Sequence, residues 1–219
     1  MITRVGNVEL GIGDYRPVLD EDFRRRYASG RDPWTDEPAM KAPVATLLAA
    51  LPAGPHAVLD VGAGRGRDVT ALLDAGHRVT GVDLVATPEW PRLREQWGKQ
   101  VSLLEGSFLD LELPTRFTGV LDNGCLHHQH PDEHPAFLAR IRDLLEPGGT
   151  AVLSTFTPDH EHEPSALWLT SDGRLNYEFS LLDLSRLAAG AGLRLADAVR
   201  VPRELHGLQY LVVALRREA

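Results

Sequence analysis

Between Ala57 and Leu84 the chain reads AVLDVGAGRGRDVTALLDAGHRVTGVDL, and few architectures accommodate that order of residues. Ala57-Val58-Leu59 is an apolar run of the length of a short buried strand, closed by Asp60. Gly62, Gly64 and Gly66 follow as a turn with almost no side chains. Arg67 to Ala75 has helical spacing, with Val69, Leu72 and Leu73 on one face, and Gly76 stops it. Val79 to Val82 is a second strand with Asp83 at its end. The pattern predicts a βαβ unit with a glycine-rich first turn and an acid at the tip of the second strand. Such a turn lets the backbone approach a ligand and presents the free N–H groups of a helix start. An acid at that tip accepts both hydroxyls of a ribose. A nucleoside ligand is therefore expected. The dinucleotide fingerprint G-x-G-x-x-G would need glycine at position 67, which is Arg67; the glycines alternate instead as G-x-G-x-G.

In these residues the chain resembles the class I S-adenosylmethionine-dependent methyltransferases. VLDVGAGRG matches their first motif and VTGVDL their second. The resemblance implies S-adenosyl-L-methionine as cofactor, its methionine part lying over Gly62, Ala63, Gly64, Arg65 and Gly66. It implies Asp83, followed by Leu84, at the ribose hydroxyls, and Asp60 acting from the strand end, directly or through water. The fold it implies is α/β and Rossmann-like. That fold has a seven-stranded, mostly parallel sheet with an antiparallel last strand, helices on both faces and an N-terminal helical lid.

The chain before this unit is expected to form the lid, residues 1–54, and the rest, 55–219, the cofactor-binding domain. Met1 to Tyr15 alternates weakly and fits a short hairpin, a flexible arm or a dimer contact. Asp20 to Tyr27 reads as a short helix with Asp20 as N-cap, and Glu37 to Leu51 as another. Between them Tyr27 to Trp34 resembles the W-x-x-G-x-x-P-W stretch of thiopurine methyltransferase-like and tellurite-resistance TehB-like enzymes, with Tyr27 in place of the first tryptophan. Trp34 is then either a core anchor for the extension or a lid aromatic over the sulfonium. Tyr27 and Arg31 join it as cofactor contacts, Arg31 as a partner for the cofactor carboxylate.

Further strands are expected at Val101–Glu105, Phe117–Leu121, Thr150–Phe156, Leu193–Val201 and Leu208–Leu215, the last two as an antiparallel pair joined by Pro202 to Gly207. Helices are expected from the end of the proline-punctuated stretch Pro88–Pro91 through about Gly98, at Pro131–Glu146 (stopped by Pro147-Gly148-Gly149) and at Ser180–Ala189. Ligands of open α/β sheets sit at the carboxyl ends of strands. Ser107, Phe108 and Leu109 follow the third strand, where the family flanks adenine; Phe108 reads equally as core. Asp122 to His128 follows the fourth strand and resembles the D-x-G-x-x-H-H stretch of small-molecule methyltransferases, which places Asn123 and Gly124 at the cofactor. It lacks the [DN]-P-P-[YF] sequence of DNA and glutamine N-methyltransferases. His127 and His128 are candidates for a base or a substrate-orienting pair, or are structural; with His130 and His134 they form a cluster that spacing does not require to bind metal. Cys125, the sole cysteine, reads as a buried thiol before a nucleophile and excludes an internal disulfide. Thr157 to Asn176 reads as a long polar loop, a substrate-side lid.

A net charge of −8 repels a nucleic acid backbone, and the only basic cluster, Arg24-Arg25-Arg26, is flanked by acids. No run is long and apolar enough to span a membrane, and the N-terminus lacks a signal-peptide pattern, so a cytoplasmic monomer or homodimer is expected. The expected activity is methyl transfer to a sulfur, nitrogen or oxygen of a small molecule. An intramolecular cyclisation releasing methylthioadenosine and a non-catalytic cofactor-binding protein are the alternatives. Because no base stands out, the chemistry tilts towards a soft or already ionised acceptor.

Overall fold

In the computed structural model, which describes residues 2–113, 116–160, 162–203 and 209–218, the βαβ unit lies at the centre of the sheet. Strand β2 (Ala57–Val61) leads through the glycine turn into helix α3 (Arg67–Asp74) and back along β3 (Arg78–Asp83). Helix α4 (Trp90–Trp97) precedes β4 (Val101–Glu105), and β5 (Phe117–Asn123) lies on the other side of β2. After helix α5 (His134–Leu144) come β6 (Leu145–Thr157), helix α6 (Leu181–Gly190), β9 (Leu193–Pro202) and β10 (Gln209–Arg217), with two further strands between β6 and α6. The seven strands run in the order β4-β3-β2-β5-β6-β10-β9. Strand β10 is antiparallel to both neighbours and the rest are parallel. The strand order reverses between β2 and β5, where their carboxyl ends leave a crevice for a ligand.

Alternate residues of the strands feed two apolar layers, as pleat geometry demands. Val58, Val79, Leu103 and Leu121 meet Leu47, Val69, Leu72 and Trp90 on one face. Leu59, Val120 and Leu153 meet Phe137, Leu138, Ile141 and Leu184 on the other. Gly81 has no room for a side chain: a Cβ there would stand 2.8 Å from Leu103 and 3.0 Å from Ala63.

The N-terminal region departs from expectation. Helix α1 runs from Ile12 to Ser29, starting eight residues before Asp20 and continuing through Pro17. Asp20 is no cap; it pairs with Arg24 one turn on at 2.8 Å. Gly30, at φ 64°, ends the helix in a left-handed turn that takes the chain towards Trp34. Residues Ile2–Val5 form β1, which pairs not locally but with β7 (Ala166–Thr170), itself paired with β8 (Leu175–Glu178). The segment expected as an irregular polar loop is thus largely a hairpin. Its alternation, Leu167 and Leu175 inward among polar residues, packs on Tyr15 and Leu19 of α1.

Other boundaries shift by a turn. Helix α2 is Lys41–Ala50, preceded by a 3-10 turn at Pro38–Met40, and α5 is preceded by one at Pro131–Glu133. Strand β6 begins at Leu145, before Pro147-Gly148-Gly149, and the register with β5 slips between Phe117 and Gly119. Leu208, expected to open the last strand, and residues 204–207 of its connection lie outside the described residues.

Candidate functional site

The glycine turn is shaped by contacts on both sides. Gly62, Gly64 and Gly66 have φ of 81°, 52° and 85°. A Cβ on Gly64 would stand 3.0 Å from the Tyr27 hydroxyl, and one on Gly66 only 2.3 Å from Leu93. The Gly64 carbonyl accepts from Trp90 Nε1 (2.8 Å) and Thr87 Oγ1 (3.1 Å). Its N–H donates to Asp83 Oδ2 (2.8 Å), while Val85 N–H donates to Asp83 Oδ1 (3.0 Å). Each carboxylate oxygen keeps a lone pair for a hydroxyl of a ligand. Burial pushes the Asp83 carboxyl up to about 6 against those two hydrogen bonds. Asp60 is buried beneath the turn; both of its oxygens lack a hydrogen-bond partner among the described residues, and burial followed by the Asp68 charge raises its pKa well above the usual range.

Over this turn lies the segment after α1. Arg65 donates to Asp32 through Nε (2.6 Å) and Nη2 (3.0 Å), to Glu89 (2.7 Å) and to the Tyr27 carbonyl (2.9 Å). Arg67 donates to the Trp34 and Thr35 carbonyls and to Asp68. Asp68 in turn accepts from Asn123 Nδ2 at 2.6 Å. Trp34 meets Phe23 and Tyr27 edge-on, with ring centres 5.7 and 6.1 Å apart. Trp34 thus packs against the extension and also lines the cavity of the site.

A cavity of about 340 Å³ extends from the turn across the carboxyl ends of the strands. At one end lie Gly62, Asp83, Leu84, Ser107, Phe108 and Leu109; at the other Phe156, Tyr210, Arg203, Arg174, Asn176 and the two histidines. Phe156 stacks on His127 at 3.9 Å and on Tyr210 at 5.5 Å. The histidines form a chain whose proton positions are determined by its ends. Phe156 N–H donates to His127 Nδ1 (3.2 Å), so His127 carries its hydrogen on Nε2. That hydrogen points at His128 Nε2 (3.1 Å), so His128 carries its own on Nδ1, directed at the Leu175 carbonyl (3.1 Å). Burial, then the nearby arginines for His127 and the neighbouring ring for His128, hold both well below the ordinary histidine range. Both rings are neutral and all four nitrogens are engaged.

Of the residues singled out from sequence, Tyr27, Trp34, Gly62, Asp83, Leu84, Ser107, Phe108, Leu109, Asn123, Gly124, His127 and His128 line the cavity. Asp60, Ala63, Gly64, Arg65 and Gly66 stand behind its wall and shape the turn. Arg31, after left-handed Gly30, is exposed and does not line the cavity, while Arg65 is the cation paired with Asp32 of the same segment. Phe108 is both lining and core, 4.8 Å from Phe137. Cys125 lines the cavity with its thiol pushed well up by burial, which keeps it protonated. No three or more His, Cys, Asp or Glu residues among those described are grouped to hold a metal ion. No helix among them is long and apolar enough to cross a membrane. Sequence reasoning missed Phe23, Arg26, Met40, Phe156, Arg174, Asn176, Arg203 and Tyr210. Phe156 was legible, since it ends the strand next to β5; the arginines carried no signal.

A family model described as a methyltransferase domain matches residues 34–198. The 1,6-didemethyltoxoflavin-N1-methyltransferase of Burkholderia thailandensis, solved with 1,6-didemethyltoxoflavin and S-adenosylhomocysteine, superposes with a TM-score of 0.94 at 44% identity, over 100% of this chain and 95% of that one. The CcbJ methyltransferase of Streptomyces caelestis superposes at 0.62 with 26% identity, over 82% and 96%. An uncharacterised methyltransferase of Bacillus cereus is 33% identical over 98 residues, 44% of this chain and 45% of its own. The chain thus spans less than half the length of the curated relatives it matches.

Proposed function

This chain belongs to the methyltransferase-domain family, and from that premise we propose that it methylates a ring nitrogen of a small planar heterocycle. The cofactor of the family is S-adenosyl-L-methionine, which supplies a methyl group on a sulfonium. The residues here fit it. Asp83 offers free lone pairs at the tip of β3, the two buried oxygens of Asp60 under the turn lack a hydrogen-bond partner among the described residues, and a side chain on Gly64 or Gly66 would press on Tyr27 or Leu93. Gly62, Asp83 and Leu84 are assigned to the ribose and methionine end, and Ser107, Phe108 and Leu109 to adenine. Tyr27 and Trp34 cover the site, and Asn123 and Gly124 stand where cofactor and acceptor meet.

The observation that carries the reading is the single cavity that joins this end to a second, aromatic end walled by Phe156, His127 and Tyr210. Stacked rings favour a flat acceptor, and an enclosed site aligns it for in-line displacement while excluding water. The whole-chain likeness to the Burkholderia enzyme supports nitrogen as the accepting atom. The resemblance to thiopurine methyltransferase-like enzymes makes sulfur the competing atom. Incubation with S-adenosyl-L-methionine and either 1,6-didemethyltoxoflavin, a thiopurine or a phenol, read by mass spectrometry, decides. S-adenosylhomocysteine with an N-methylated heterocycle is the expected result. S-methylation alone would replace nitrogen by sulfur, and methylthioadenosine without any methylated product would refute methyl transfer.

A further inference from the structure

The acceptor end of the cavity holds two arginines that the transfer of a methyl group does not by itself require. Arg174, 8% exposed, stands with its guanidinium 5.4 Å from the Phe23 ring centre, and its Nε and Nη1 have no hydrogen-bond partner among the described residues. Arg203, with a side chain 8% exposed, lies 5.6 and 5.5 Å from the ring centres of Phe156 and Tyr210. The carboxylates around them are shared. From α1, Asp22 lies 3.4 Å from Arg174 but is also held at 2.7 Å by both Arg25 and Arg26. Asp172, from the same turn as Arg174, contacts Arg25 and Arg26 at 3.5 and 3.4 Å. Glu37 lies 3.6 Å from Arg203. Among the described residues, Arg26, Arg174 and Arg203 line the cavity, whereas of these three carboxylates only Asp172 does, so this end of the cavity surface is predominantly cationic.

Among the described residues, each basic group at this end is already engaged. His127 and His128 are neutral, and each lone-pair nitrogen is already occupied, by Phe156 N–H and by His127 itself. The Cys125 thiol and the Tyr27 and Tyr210 hydroxyls are all held protonated by burial. Asp172 faces two guanidiniums, Asp22 three and Glu37 that of Arg203, and Asp83 is bound to the backbone of the glycine turn. A neutral ring N–H would therefore meet no uncommitted base among the described residues.

We propose that the acceptor is a heterocycle with an acidic, imide-like ring N–H, taken up as its anion beside Arg174 and Arg203 and methylated without a general base. This rests on the proposed methyl transfer and names its substrate class. The proton goes to solvent on binding. The ring nitrogen's electron pair then forms the N–CH₃ bond as the C–S bond breaks, its pair remaining on sulfur, and the acceptor leaves neutral. The histidine chain acts by position, tying the loop after β5 to β6 and β8 and so holding the wall on which the ring stacks.

The test uses the whole chain with S-adenosylhomocysteine and two probes, 1,6-didemethyltoxoflavin and lumazine, whose absorbance reports ring N–H ionisation. An opposite charge at close range lowers such a pKa by about one to three units. A bound-probe pKa at least about one unit below its free value is expected. Arg174→Met or Arg203→Met raises it by about one unit, and Arg203→Lys restores most of the shift. With S-adenosyl-L-methionine, the acid limb of kcat moves with the bound pKa, giving about a tenfold loss on its acid side. Circular dichroism checks that each variant is folded. Turnover of a probe that titrates at its free pKa, or variants with unmoved acid limbs, would overturn anion uptake and leave methyl transfer standing. Anion binding with no methylated ring nitrogen would overturn the reaction assigned above and leave the binding mode. Failure of both probes to bind would overturn both.

Discussion

Replacing Arg65 by methionine should loosen the cover of the site without unfolding the domain. Methionine keeps the apolar stem and removes the charge and every donor. Asp32, 7% exposed, would lose both hydrogen bonds from the guanidinium and keep only that from Thr35 Oγ1 (2.7 Å). The Tyr27 carbonyl and Glu89 each lose the hydrogen bond from this guanidinium as well. Removing one partner of a buried ion pair costs about 3–5 kcal/mol, and of an exposed one no more than about 1. The Arg65 side chain is 21% exposed while that of Asp32 is 5% exposed, so the cost lies between, at about 2 kcal/mol. At about 1.4 kcal/mol per factor of ten, the opening equilibrium of residues 30–36 should rise about 30-fold. Hydrogen exchange reads this directly at the Thr35 amide, which donates to the Asp32 carbonyl at 3.0 Å. Amides of β2 should be unaffected, because local openings leave the core closed. A rise of less than about threefold at Thr35 would refute the clasp. An equal rise at Leu59 would show that Arg65 stabilises the whole fold instead.

Three further outcomes are expected. Asp83→Ala should abolish measurable binding of S-adenosylhomocysteine by calorimetry in a protein whose circular dichroism is unchanged; retained affinity would remove Asp83 from the ribose. Tyr15→Phe should cost about 2–4 kcal/mol in urea denaturation, because the hydroxyl donates to the His128 carbonyl (2.6 Å) and accepts from Leu175 N–H (3.0 Å) in a buried place; a loss under about 1 kcal/mol would mean that these groups find other partners. Burial lowers the His134 pKa to about 4, so below the unfolded value of 6.5 the unfolded chain binds the extra proton and stability falls with pH. Wild type should therefore lose about 3 kcal/mol relative to His134→Phe between pH 7 and pH 4, and a difference that does not change with pH would refute this.

The cofactor half of the chain was legible because its determinants are local. Glycines at 62, 64 and 66, a helix face of Val69, Leu72 and Leu73, and an acid after Val82 are all set by neighbours in sequence, and each falls where the pattern puts it. The acceptor half was not, for a physical reason. Helix α1 hides its start behind Gly11, Gly13 and Pro17 and has no side-chain cap. Its stability comes from packing Tyr15 and Leu19 on Leu167 and Leu175, some 150 residues away. The hairpin of β7 and β8 reads as a loop because its outward positions are polar, and its third strand is supplied by Ile2–Val5. Arg174 and Arg203 belong to no motif; only the closed chain brings them to one cavity with Phe156.

That division has a consequence for specificity. The glycine turn is fixed by sterics so tight that a Cβ on Gly66 would overlap Leu93, and it therefore tolerates little variation. The wall at the proposed acceptor end is assembled from α1, the β7–β8 hairpin and the segment after β9, held together by charge pairs and by the two bonds of Tyr15. Exchanging a residue such as Asn176 or Arg203 there changes the surface offered to the acceptor without touching the βαβ unit. The two halves meet at Asn123, whose side chain donates both to the Met40 carbonyl under the cover and to Asp68 at the start of α3. A shift of the cover is thereby communicated to the helix that supports the glycine turn. Closure over the acceptor and grip on the cofactor share these hydrogen bonds, so Asn123→Ala should weaken binding of S-adenosylhomocysteine and of the acceptor probes together. Loss of one alone, by calorimetry, would show that the two ends of the cavity are independent.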